Sequence, residues 1–124
     1  MAGSSVTFTE TVQIGAVKKI KAVWVSDDTT GAASGATAYS YNGKVELLTT
    51  VPAGAGSAPT DNYDVTLTDE DAVDVLAGGG ANRDTASTEQ VLSSSLGACA
   101  AGVLTLNVTN AGNTKGGTVY VYIR

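Results

Sequence analysis

A chain of 124 residues has the usual length of one domain and is long enough to bury a core without a metal or disulfide staple. Hydrophobic residues make up 43% and charged residues only 15%, with a net charge of −5, so Ser, Thr, Asn, Gly and Ala must form much of the surface, as suits a protein lying against other protein. The few basic residues exclude the clustered surface that a phosphate backbone needs, and the lack of a long apolar run or a cationic leader argues against a membrane span or signal peptide.

In chain order, two-residue alternation predicts strands over 5–14, 17–26, 36–41, 44–51, 62–68, 72–77, 103–109 and 118–123, with a short helical turn over 88–96. That pattern predicts a single all-β domain over 1–124, an antiparallel β-sandwich or jelly-roll-like barrel of about seven or eight strands. On the second segment Trp24 is in register with Ile20 and Ala22 and reads as a core anchor, while Lys18, Lys19 and Lys21 read as a solvated strand face. Small-residue stretches at 29–35, 53–58 and 78–82 read as surface loops.

Three hairpins are expected. Asn42-Gly43 is a strong two-residue turn signal; it pairs Ser40 with Val45 and Ala38 with Leu47 inward, and places Tyr39 and Tyr41 on the outer face. A loop of Asp69, Glu70 and Asp71 pairs Leu67 with Val73 and Val65 with Val75. The third returns from 103–109 to 118–123, aligning Val108 with Val119, Leu106 with Val121 and Leu104 with Ile123, with Tyr120 and Tyr122 outward.

Chemistry is sparse. There is no histidine, so the commonest general base and metal ligand are missing, and no serine sits in a nucleophile-elbow pattern. Cys99 stands alone among small residues, which forbids an intrachain disulfide and suggests a buried or half-buried side chain in a reducing compartment. The run Asp69, Glu70, Asp71 and Asp74 lacks calcium-loop spacing and reads as a solvated turn. Neither an enzyme, a cofactor nor a resident metal is expected. The candidate functional residues are instead four outward tyrosines, Tyr39, Tyr41, Tyr120 and Tyr122, as a protein interface, since tyrosine offers large contact area with a polar tip.

The segment Ala58-Pro59-Thr60-Asp61-Asn62-Tyr63-Asp64-Val65, the acidic hairpin and the C-terminal Gly117-Thr118-Val119-Tyr120-Val121-Tyr122-Ile123 give the chain a style that resembles small virion structural proteins of tailed bacteriophages. Within that group it looks most like a capsid decoration, or cement, protein. The resemblance implies a protein assembled in the host cytoplasm that binds the major capsid protein on the outside of the shell, often as a homotrimer, and stabilises it by multivalent contact. A head–tail connector, tail or baseplate protein is the alternative within the virion. A carbohydrate-binding adsorption module is the alternative outside that class, and it needs an exposed aromatic platform.

Overall fold

The computed structural model describes residues 4–11, 17–92, 94, 96 and 98–124. Among them are seven strands: β1 (Ser5–Thr11), β2 (Lys18–Val25), β3 (Ala33–Pro52), β4 (Asp64–Thr68), β5 (Glu89–Val91), β6 (Cys99–Thr109) and β7 (Gly116–Ile123). All ladders are antiparallel, the strand order is β1-β2-β7-β3-β6-β4, and β5 pairs with β3. The fold is therefore all-β, as the alternation predicts, and the sheet stays open rather than closing into a barrel.

The organising element is β3, whose 20 residues serve both halves of a sandwich-like arrangement. Its first part pairs with β6 from Ala33↔Val108 to Lys44↔Cys99, and its second part pairs with β7 from Val45↔Ile123 to Pro52↔Gly117. The expected hairpin at Asn42-Gly43 is thus corrected: both residues lie inside a continuous strand. Gly43 serves a different purpose from a tight turn. Its φ is +142°, and a Cβ there would stand 2.6 Å from the Arg124 carbonyl oxygen, so glycine permits a close backbone approach where β3 passes from one partner to the other.

The third hairpin is corrected in the same way, because β6 and β7 each pair with β3 and not with each other. Their expected inward faces are nevertheless right: Leu104, Leu106, Val108, Val119, Val121 and Ile123 are all buried. The second hairpin is shifted by two residues. Thr68 bridges Asp74, Val75 N–H donates to the Leu67 carbonyl at 2.8 Å, and the loop runs over five residues from Asp69 to Val73. Val75 and Leu76 enter the core, whereas Val73 is left 54% exposed. The segment 72–77 forms no strand of its own.

That segment instead covers the outer edge of β4. Val65 N–H donates to the Gly80 carbonyl at 2.8 Å, and Leu67 N–H donates to Asp74 Oδ1 at 3.1 Å, so an otherwise open row of backbone groups is filled. The stretch 78–82 is part of this cover, and residues 33–35 of another expected loop are already strand. Glu89–Val91, expected as part of a helical turn, is a short strand paired with Thr50, Thr49 and Leu48. Ser93 and Ser95 of that expected turn lie outside the described residues, as does the end of the first predicted strand at 12–14.

The core sits between the two halves. Trp24 on β2 is buried against Tyr63, just before β4, with ring centroids 5.6 Å apart and planes tilted by 45°. Trp24, Ala22 and Ile20 share the inward face with Val119 and Val121 of β7, which the pairing Ala22↔Val119 and Ile20↔Val121 brings alongside. Such burial of aromatic and β-branched side chains supplies most of the driving force for folding, at about 25 cal/mol per Å².

The seam between β1 and β3 is closed by side chains. Val6 and Phe8 pack against the core, and Val6 lies over Gly35. Glu10 accepts hydrogen bonds from the backbone N–H of Ala38 at 2.8 Å and of Tyr39 at 3.2 Å. These donors are free because the β3–β6 register shifts between Ala36 and Ser40. Within this bulge the Thr37 hydroxyl donates to the Tyr39 carbonyl at 2.8 Å and accepts from Leu104 N–H at 3.1 Å, standing in for a ladder partner.

Candidate interaction face

The bulge separates the two tyrosines of β3. In an unbroken strand Tyr39 and Tyr41 share a face, but here Tyr39 is 55% exposed and Tyr41 is 1% exposed. Tyr41 is therefore withdrawn from the expected interface. Burial, reinforced by the neighbouring Glu10 charge, pushes its phenol well above the ordinary tyrosine range. Its hydroxyl has no hydrogen-bond partner among the described residues.

Tyr120 and Tyr122 do lie together, both half-buried, on the outer face of β7. The registers build the surroundings row by row. Tyr122 is flanked by Lys19 of β2 and Leu47 of β3, Tyr120 by Lys21 and Thr49, and Thr118 by Val23 and Val51. The Lys19 ammonium stands over both rings, 5.0 Å from the centroid of Tyr120 and 5.8 Å from that of Tyr122. This cation–π geometry holds the lysine stem along the rings and keeps its charge outward.

Beyond Thr118 the face becomes apolar. Val23 is 42% exposed and Val25 37% exposed, and with Val51, Pro52, Ala53 and Thr118 they line an open groove of about 320 Å³. The face from β2 across β7 to β3 therefore combines two aromatic rings, two lysines and a valine-lined groove on regular, mutually hydrogen-bonded strands. A rigid surface of this kind suits protein binding, because little side-chain order is lost on contact. Tyr39 belongs to a separate place, the bulge beside Phe8 and Glu10.

The acidic residues serve local structure. Asp69 Oδ1 accepts from the backbone N–H groups of Asp71 at 2.9 Å and Val73 at 3.0 Å, and Asp74 accepts from Leu67, Leu76 and Gly78. Asp27 accepts from Thr30 and Thr29, and Asp84 from Ala86 and Ser87; these bonds hold both carboxyls below their ordinary range. Among the described residues no three of His, Cys, Asp and Glu come together to hold a metal ion. Cys99 is exposed, which corrects the expectation of a buried or half-buried thiol: it sits at the start of β6, opposite the outward Lys44.

Alternation in the sequence is enough to place Tyr120 and Tyr122 outward. The adjoining valine groove is the part that sequence reasoning missed, since Val23 and Val25 alternate with Ala22 and Trp24 and carry an apolar signal on both faces. No protein-family model, curated protein or solved structure matches this chain.

Proposed function

We propose that this chain is a non-catalytic virion structural protein that binds the outer surface of a phage capsid as a decoration protein, working as a homo-oligomer. Protein binding is supported by the outer face of β2, β7 and β3, where Lys19 covers Tyr120 and Tyr122 beside the Val23–Val25–Val51 groove. The capsid as the partner, and the virion as the location, come from the resemblance of the sequence to phage virion proteins.

The arrangement of the tyrosines bears on the competing adsorption role. A sugar-binding platform presents bare aromatic faces, whereas here Lys19 lies over the rings and Tyr41 is inside the core. Asp69, Asp74 and Asp84 are engaged by backbone N–H groups in turns, while Glu70 and Asp71 are exposed on the turn surface. Among the described residues no helix is long and apolar enough to cross a membrane.

The test is a protein inventory of virions together with a binding assay on shells lacking the protein. Hundreds of copies per particle and saturable binding to bare shells support decoration. A handful of copies places the protein in the neck, tail or baseplate, and binding to a glycan array in place of shells replaces the reading altogether.

A further inference from the structure

Two surfaces of this molecule complement each other and are carried by strands far apart in the sheet order. On β2, Lys19 and Lys21 face outward beside the exposed Val23 and Val25, and neither lysine has a carboxylate within ion-pair reach among the described residues. The turn that follows β4 is opposite in sign and similar in its apolar part. Asp69 is occupied by the N–H groups of Asp71 and Val73, which leaves Glu70 and Asp71 as the exposed charges. Beside them Val73 is 54% exposed, following Ala72 at a left-handed φ of 63°.

The charge separation extends past these residues. Between Asp61 and Glu89 the chain holds eight carboxylates and one basic residue, Arg83, which pairs with Glu89 at 3.6 Å. Lys18, Lys19 and Lys21 lie on β2, second in the strand order, while β4 is at the opposite end. One copy thus does not neutralise itself.

We propose that the acidic turn of one copy docks on the outer face of β2 and β7 of a second copy. Glu70 and Asp71 meet Lys19 and Lys21, and Val73 enters the groove beside Val23, Val25 and Val51. This rests on the reading of that face as a protein contact, and it names the partner as the chain itself. Because the two surfaces differ, the contact is heterologous: repetition closes a ring if the rotation allows and otherwise extends a filament. Charge steers the encounter, and the valine contact adds the desolvated part that salt does not screen.

The experiment is sedimentation of the purified full chain at low and high salt, with three variants. The wild type self-associates at low salt and does so at least tenfold more weakly at high salt. Lys19→Glu with Lys21→Glu, and separately Glu70→Lys with Asp71→Lys, each weaken association at least tenfold, and mixing the two double variants restores it, because each then offers the sign the other needs. Val73→Ser, at an exposed position that leaves the fold intact, weakens association at both salts. A monomeric wild type at low salt overturns the proposal, as does a mixture that stays monomeric or a turn variant that associates like the parent. If the turn variants leave association unchanged while the lysine variants lose binding to bare capsid shells, the self-docking inference falls and the functional reading stands. If the parent does not bind bare shells while both double variants lose self-association, the functional reading falls and the docking inference stands.

Discussion

The indole of Trp24 lies directly over the α-carbon of Gly117, its partner in the β2–β7 ladder. A Cβ at position 117 would stand 3.0 Å from Trp24 Cζ2 and 2.9 Å from the Val51 carbonyl oxygen. The glycine is required by the Val51 carbonyl together with the tryptophan, and these contacts bear on how β2, β7 and β3 meet at one end of the interaction face. Gly117→Ala should destabilise the fold by about 1–3 kcal/mol through overpacking. Chemical denaturation measures this, and an unchanged midpoint contradicts the packing described.

Glu10 is the polar tie across the seam between β1 and β3. Glu10→Ala removes both acceptors from Ala38 and Tyr39 and should cost about 1–2 kcal/mol, with Glu10→Gln losing less because one oxygen remains. Hydrogen exchange should show the Ala38 and Tyr39 amides losing protection first. Equal stability of Glu10→Ala and the parent contradicts this role.

Tyr41 is a core residue carrying a hydroxyl without a partner among the described residues. Removing that hydroxyl keeps the packing and takes away a buried polar atom, so Tyr41→Phe should leave stability unchanged or raise it by up to about 1 kcal/mol. A thermal melt decides, and a loss above about 1 kcal/mol shows that the hydroxyl makes a structural bond.

The pH profile of stability has two limbs with separate causes. Asp27 and Asp84 are lowered in the fold by backbone N–H donors, so their contribution is present above the unfolded value of about 3.9 and is lost as pH falls through the lower folded values. Tyr41 and Tyr63 are raised, chiefly by burial, so their contribution is complete below about pH 10 and is lost as pH rises through the higher folded values. Melting temperatures should be flat between these limbs. A profile without an alkaline fall contradicts the burial of the two phenols.

Alternation made three inward faces legible: Ile20, Ala22 and Trp24, then Leu104, Leu106 and Val108, then Val119, Val121 and Ile123 are all buried as read from the sequence. It failed on β3, where Ala38 and Ser40, expected inward, are exposed. Pairing was not legible, because an apolar face is equally satisfied by any antiparallel neighbour. β6 and β7 accordingly looked like one hairpin, although β3 lies between them. Asn42-Gly43 carries the signal of a turn, yet its glycine answers a close approach by Arg124 that only the tertiary structure creates. The fate of Tyr41 turned on a bulge stabilised by the Thr37 hydroxyl and by Glu10, a residue remote in sequence. Of the four tyrosines expected at an interface, Tyr120 and Tyr122 share one face, Tyr39 stands apart on the bulge, and Tyr41 is in the core.

The central claim is that the outer face of β2, β7 and β3 is where this protein meets other protein, and Tyr120→Ala tests it most directly. Tyr120 sits in the middle of that face between Lys21 and Thr49, with the Lys19 ammonium 5.0 Å above its ring. Truncation should keep the native circular dichroism spectrum while costing about 2 kcal/mol of binding to undecorated capsid shells, roughly a thirtyfold rise in Kd. Tyr41→Phe, altered only inside the core, should bind like the parent. A Tyr120→Ala protein that folds normally and binds shells with the parent's affinity contradicts the account.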